Sequence, residues 1–292
     1  MAWTHHIGPP LTTYNSIELS SSDDHGRTWS RPSIVDRTGF GALTFTSLAV
    51  GRSGDVYVAW IALTGASPEI LVSRSIDGGI SFDTPVEVDV LSAANCGSIG
   101  WRVAAERTNC PTPDPVVTAT VMGGAERVFV TYSNLVPGGG LHVFGAAFTG
   151  DLRPAEAGLA KEIAPAGTSS SADQFLPVSS VDLSTGNLWA CYYDTTGHPA
   201  GREASFSCTV SVDGGRGWAP IVRVATTPSD ETGTLAYHRS AFGGFGTEYG
   251  DYEGLAVIRG VAHPVWTDSR ELQAFGEEIL TTTLPQRDLA GG

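Results

Sequence analysis

Short segments in which apolar and polar positions alternate recur along the whole chain. DVYVAW (55–60), RVFVTY (127–132), NLWACY (187–192) and VAHPVW (261–266) each run into an aromatic residue: Trp60, Tyr132, Tyr192 and Trp266. A period of two is the signature of a strand with one face toward a core. AWTHHIG at 2–8 matches the end of such a segment, with Trp3 as its aromatic. Taking these as second strands phases the rest. The second unit reads as strands at 44–50, 55–63, 69–76 and 82–89. The third reads at 115–122, 127–135, 141–149 and 160–164, and the fourth at 176–183, 187–194, 204–212 and 218–225. The last has 252–259, 261–268 and 277–283 and no fourth strand, while the first has the end of a second strand, then 16–22 and 29–35.

Four short antiparallel strands repeated every 45–60 residues or so predict an all-β β-propeller of four-stranded antiparallel blades. Five blade units are represented, two of them incomplete. The expectation is one propeller domain over 1–292 that begins in mid-strand, is N-terminally truncated, and derives from a six-bladed parent. No long helix is expected; PAEAGLAK at 154–161 has material for one or two turns. The longer loops, 91–114, 136–140, 165–175, 196–203 and 226–250, are the functional candidates, because long loops in a compact repeat fold carry binding and catalysis.

Three of the turns share a phrase: SDDHGRTW (22–29), SIDGGISF (75–82) and SVDGGRGW (211–218). Each has Ser, Asp two residues on, Gly two further on, and an aromatic three past the Gly. The carboxylate accepts backbone N–H groups of the turn, the Gly supplies positive φ, and the aromatic is expected to plug the gap beneath. The third unit has FTGDLRP in its place.

Composition narrows the partners. Net charge is −14, with one lysine, Lys161, among the 17 basic residues. That argues against general binding to nucleic acid, so an anionic ligand needs a local arginine cluster. No apolar run reaches the ~18 residues of a membrane span. The four cysteines fall into two near pairs, Cys96 with Cys110 and Cys191 with Cys208. Two disulfides are expected, and with them an oxidising, extracellular setting. No zinc spacing is present.

The three turn motifs are Asp-boxes, and through them nearly the whole chain resembles the sialidase (neuraminidase) superfamily. The resemblance implies a propeller and a glycoside hydrolase of exo-α-sialidase type acting on terminal sugars of glycans. Members use a Tyr nucleophile, a Glu that activates it, an Asp acid/base and three Arg that clamp the substrate carboxylate, a known exception to the two-carboxylate rule. Tyr252-Glu253-Gly254-Leu255 matches the place of the nucleophile, and Arg202, nine residues before Ser211, matches the third Arg. The chain departs elsewhere. Asp173-Gln174-Phe175 stands where the family has Asn-Glu, Tyr192-Tyr193-Asp194 where it has the second Arg, and no Arg-Ile-Pro phrase occurs. Asp173 is the stand-in for the Glu.

The ends of the second strands put His5, His6, Asn134, Asp194, Asp268 and Arg270 toward one rim. With Glu248 and Asp251 they compose an acidic, Arg-dotted funnel suited to a sugar or, through oxygen ligands, to Ca²⁺. Trp101, Tyr192, Tyr193, Phe242, Phe245 and Tyr249 are the aromatics available to stack on a sugar. The site expectation is therefore Tyr252, Asp173, Glu248 and Asp251 for catalysis, and Arg202, Arg270, Asp268, Asp194 and Tyr193 for substrate. No resident metal or cofactor is required. The alternatives are a non-catalytic glycan- or protein-binding propeller, and a lyase or neutral-sugar hydrolase on the same fold.

Overall fold

The structure, a computed structural model, describes residues 1–6, 15–106, 110–155, 160–163, 170–232, 249–250, 253–269 and 278–289. Its regular structure is β-sheet, apart from one 3-10 turn at Gln286–Asp288. The first sheet has three strands, β1 (Ala2–His6), β2 (Asn15–Leu19) and β3 (Ser33–Thr38), in that order. The second runs β4 (Ala42–Val50), β5 (Val56–Leu63), β6 (Glu69–Ser75) and β7 (Val86–Val90). The third holds β8 (Val116–Met122), β9 (Ala125–Leu135), β10 (Leu141–Thr149) and β11 (Ala160–Glu162). The fourth holds β12 (Gln174–Val181), β13 (Leu188–Asp194), β14 (Ser205–Ser211) and β15 (Val222–Arg223). In the last, β16 (Gly254–Ile258) pairs with β17 (Val261–Asp268), which pairs with β18 (Glu278–Thr281) and with β19 (Leu284–Pro285). Consecutive strands are neighbours in the first four sheets, the up-and-down order of a propeller blade, and the last departs from it only in β19, which lies with β18 along the same edge of β17.

The expected strand positions hold, with edges moved by turn chemistry. The fourth strand of sheet four shrinks from 218–225 to two residues. The third strand of the last sheet is split. Val265 pairs with Thr281 and Ala262 with Leu284, so the break lies opposite Pro264. Proline has no N–H to give the ladder, and the strand is interrupted where that donor is missing.

The chain forms two compact units, Met1–Ala93 with Pro115–Val130 and Gly145–Lys161, and Ala94–Asp114 with Thr131–Phe144 and Glu162–Gly292. In the first, alternate residues of the first two sheets interlock around Ile17, Leu19, Val35, Leu43, Val56, Val58, Trp60 and Ala62, with Phe82 packed against them. Each large side chain so buried contributes about 1.5–3 kcal/mol. A polar seam lies beside it: Glu126 takes the Tyr57 hydroxyl at 2.8 Å and the Ser53 hydroxyl at 3.1 Å. A Cβ on Gly51 would stand 1.8 Å from that carboxylate, so a larger residue there would push the Glu126 side chain aside. In the second unit the core is aromatic. Tyr193 stands 5.5 Å from Phe175, 5.0 Å from Phe206 and 4.5 Å from Tyr249, and Phe206 stacks on Trp266 at 5.4 Å.

All three Asp-boxes use the same bonds. Ser22, Ser75 and Ser211 each donate to the Asp two residues on, at 2.8, 2.7 and 2.8 Å, and accept the N–H of the Gly four on at 2.8 Å. The N–H and hydroxyl of Thr28 hold the Asp24 carboxyl down to about 2. The Ser81 hydroxyl and N–H hold the Asp77 carboxyl well below the usual carboxylate range. The aromatics differ: Phe82 joins the core as expected, but Trp29 is 48% exposed and lies on its turn, its indole N–H donating to Gly26 O at 3.2 Å. In the third unit the motif is gone but its first bond survives, Thr149 donating to Asp151 at 2.5 Å.

Two inner strands carry a bulge at the same place. The ladder slips between Thr44 and Ser47 in β4 and between Phe175 and Val178 in β12, with Phe45 at φ 53° and Leu176 at φ 50°. A bulky residue in the left-handed region costs of order 1–3 kcal/mol and re-aims the strand end beyond it. In β12 that end is Asp173-Gln174.

Both cysteine pairs are joined. Cys191 and Cys208 face each other across β13 and β14 in register, Cα atoms 4.1 Å apart. Cys96–Cys110 closes the loop before β8, Cα atoms 5.9 Å apart. Gly100 is needed inside that loop, where a Cβ would sit 2.8 Å from Cys110 Cβ. Among the described residues no helix is long and apolar enough to cross a membrane.

Candidate functional site

The site lies in the second unit, where β12 begins, β13 and β17 end and β14 begins. Thr195, just past β13, ties these ends together. Its hydroxyl accepts the Asp173 N–H at 2.8 Å, its N–H donates to Asp173 O at 3.0 Å, and its own carbonyl accepts the His198 N–H at 2.9 Å. The chain then turns through Gly197 and Gly201, both at positive φ. A Cβ on Gly197 would come within 2.7 Å of the Arg223 guanidinium, which donates to Thr196 O at 2.7 Å. A second loop runs alongside: Ala204 and Ser229 exchange backbone bonds at 3.0 and 2.9 Å, and the Tyr249 hydroxyl donates to Ser229 O at 3.1 Å.

Between these loops is a hollow of about 250 Å³ lined by His198, Pro199, Ala200, Arg202, Glu203 and Asp230. The Arg202 guanidinium donates through Nε and Nη2 to the Thr232 hydroxyl, at 3.0 and 2.7 Å. That hydroxyl passes its own hydrogen to Asp230 Oδ1 at 2.5 Å, and the Thr232 N–H donates to the same oxygen at 2.9 Å. Among the described residues Arg202 forms no direct ion pair, so the charge of a fork-shaped donor faces the hollow with its remaining N–H groups. On the other wall, His198 Nδ1 lies 3.1 Å from Glu203 Oε2 and Nε2 lies 3.3 Å from Ser205 Oγ. The walls therefore offer a guanidinium, an imidazole and two carboxylates, a donor and acceptor set that suits a polyhydroxylated ligand bearing an anionic group.

Of the site residues expected from sequence, Arg202 lines this hollow. Asp173 does not: it is half-buried, Oδ1 accepting the Leu141 N–H at 2.9 Å, and desolvation pushes its carboxyl above the usual range against that bond and the nearby His142. Asp194 is buried and accepts the Thr196 N–H at 2.8 Å, which shapes the loop toward His198. Asp268 is buried and takes the Trp266 indole N–H at 3.1 Å. Tyr193 is 1% exposed, its hydroxyl donating to Thr267 O at 2.7 Å and accepting the Thr267 N–H at 3.0 Å. Trp101, Tyr192 and Tyr249 are equally enclosed, so these aromatics pack the interior rather than present a stacking face. Asn134 is buried with Oδ1 on the Leu135 N–H, and His5 Nδ1 meets Glu18 at 2.7 Å. Tyr252, Glu248, Asp251 and Arg270, with Phe242 and Phe245, lie outside the described residues. Among the described residues no group of three His, Cys, Asp or Glu side chains is placed to hold a metal ion.

Sequence reasoning missed His198, Glu203, Asp230 and Thr232. The signal for them was loop length: 196–203 and 226–250 stand out as long, but nothing local says that they share a wall.

Fold and strand order define an all-β protein of the β-propeller class. No protein-family model and no curated protein sequence matches the chain. Among solved structures it is similar to a protein of unknown function from Dyadobacter fermentans, at 14% identity and TM-score 0.53 over 98% of this chain and 73% of that one. It is also similar to the K499G mutant of the NanB sialidase from Streptococcus pneumoniae, at 12% identity and TM-score 0.50 over 95% of this chain. The chain spans 55% of that sialidase, about half its length. A third neighbour is an α-L-arabinanase from Penicillium chrysogenum, at 16% identity and TM-score 0.44 over 99% of this chain and 90% of that one. At these identities the likeness to the first two is one of fold.

Proposed function

We propose that this protein is a secreted glycoside hydrolase of sialidase type, acting on terminal sugars of glycans, with the hollow at Arg202 as its substrate site. The observation that carries the reading is Arg202 itself. In a chain of net charge −14, a guanidinium bonded to a neutral hydroxyl and facing a hollow of about 250 Å³ is a place for a ligand carboxylate. The hollow is smaller than the ~300–1,000 Å³ of most small-molecule sites, which suits one sugar ring at a chain end rather than a polymer. The resemblance through the Asp-boxes adds Tyr252 as nucleophile, with Glu248, Asp251 and Arg270 as further site residues. The two disulfides support an oxidising, extracellular setting. The test is turnover of a fluorogenic sialoside by the oxidised protein beside Tyr252→Phe and Arg202→Ala. The reading expects turnover in the parent, loss of kcat with Tyr252→Phe and a raised KM with Arg202→Ala. No turnover by the parent ends it.

A second reading, a glycan-binding propeller without catalysis, is favoured by one observation. At the strand ends where the resemblance places a Glu and an Arg, Asp173 is half-buried and Tyr193 buried, and both are bonded to backbone. A glycan array with analysis of released sugar separates the two: binding without product selects the second.

A further inference from the structure

The hydrolase reading leaves one role unfilled. Cleaving a glycosidic bond needs a group that gives a proton to the departing oxygen, and neither Asp173 nor Asp194 lines the hollow. His198 and Glu203 do. The imidazole is held on both edges, by Glu203 at Nδ1 (3.1 Å) and Ser205 at Nε2 (3.3 Å). Its main chain is held too, the N–H on Thr195 O at 2.9 Å and the carbonyl on the Gly201 N–H at 2.8 Å. The two partners differ in depth. Ser205 is buried in β14, while the Glu203 side chain is 50% exposed on the wall of the hollow. In the acid form of the pair Nε2 carries one hydrogen, donated to Ser205 Oγ, and a single proton lies on the line between Glu203 Oε2 and His198 Nδ1. Asp230, across the hollow, has one oxygen committed to two donors of Thr232, beside Arg202. Two acid groups in unlike surroundings divide acid and base work between them.

We infer that Glu203, coupled to His198, is the general acid and base of the hollow, an assignment that rests on the hydrolase reading. In the first step the shared proton passes from Glu203 to the leaving-group oxygen. The bond from the anomeric carbon to that oxygen breaks with its electron pair on the oxygen, and the nucleophile's lone pair makes the new bond. In the second step water attacks the anomeric carbon and its proton returns to the Glu203–His198 pair as the nucleophile departs. One water is consumed and the pair ends with the charge it began with. The groups facing the pair are Asp230 and Arg202 across and beside it, Ser205 beneath, and Arg223 behind the loop at Thr196.

The experiment uses the full chain with both disulfides formed, nitrophenyl and methyl α-sialosides, and the same two glycosides of a neutral sugar. Glu203→Gln keeps the shape and the bond to His198. It should slow the methyl glycoside by about 10²–10⁴-fold, the usual worth of a positioned acid. The nitrophenyl glycoside, whose leaving group needs no proton, should lose no more than roughly tenfold. The alkaline limb of kcat/KM against pH should vanish in that variant and shift in His198→Gln. Equal losses on both leaving groups, no loss on either, or an unmoved limb in His198→Gln overturns the assignment while the hydrolase reading stands. A parent protein that turns over none of the four glycosides overturns both.

Discussion

β13 and β17 are both the second strand of their sheets, of similar length, yet they are buried in different ways. Every residue of LWACYYD in β13 is buried, whereas VAHPVWTD in β17 alternates, with Ala262, Pro264, Trp266 and Asp268 buried and Val265 37% exposed between them. β13 is covered on both faces. Tyr193 and Phe206 pack toward Trp266 on one side, and Tyr192, Gln174 and Asp194 lie on the other. β17 has one such face, and Ile258, Val265 and Ile279 stand open on the other. The same blade position thus supports two stability regimes. A strand covered twice tolerates little, and a strand covered once tolerates changes on alternate residues.

That contrast can be broken in graded ways. The largest effect is expected from Phe206→Ala, which removes a ring stacked on Trp266 and edge-on to Tyr193 and should cost about 3–5 kcal/mol in denaturant melts. Replacing both Cys191 and Cys208 by Ala opens a loop of sequence separation 17 and should cost about 3 kcal/mol, read from the midpoint of the same melts. Two adjacent tyrosines sharpen the comparison within β13. Tyr193→Phe leaves both backbone groups of Thr267 without the hydroxyl and should cost about 1–3 kcal/mol. Tyr192→Phe removes a buried hydroxyl that has no partner among the described residues, and should be neutral or stabilising. A Tyr192→Phe loss as large as that of Tyr193→Phe would show that the two faces are not distinguished as described. On β17, Val265→Thr should fall within about 0.5 kcal/mol of the parent.

The outer turns give a pH-dependent version of the contrast, because sheet four has an Asp-box and the described residues of the last sheet have none. Burial works to raise the Asp213 carboxyl, but the N–H of Gly217, the Ser211 hydroxyl and the N–H of Arg216 outweigh it and hold it below the usual range. A carboxyl lowered in the folded state stabilises above its unfolded value, about 4, and that contribution is lost as pH falls through the folded value. Asp213→Asn should therefore lower Tm near neutrality, and the gap to the parent should close in acid. A gap that stays constant down to about pH 2 would assign the effect to shape rather than charge.

Much of the fold was legible in the chain because its signals are local. Alternation over five to eight residues marks a strand, and a Ser-x-Asp-x-Gly turn carries its own donors and acceptors. The two cysteine pairs sit where an antiparallel pair or a closed loop brings them together. The site was legible only in part. Arg202, singled out by its place before an Asp-box, lines the hollow. The strand ends suggest Asp194 and Asp268 as rim groups and Tyr193 as a ring for a sugar, but ending a strand says nothing about what covers the end. Neighbouring strands and loops cover these three, and their polar atoms hold backbone.

What the sequence determined by itself is the alternation, the turns and the pairing of neighbouring strands, since each depends on residues close in the chain. What only the tertiary structure decided is the company each polar residue keeps. His198 and Glu203 meet Asp230 across one hollow because Ala204 and Ser229 bond to each other and bring two distant loops side by side. No period or motif encodes that path. It follows from how each loop satisfies its backbone groups against its neighbour, and such groups are alike in every sequence.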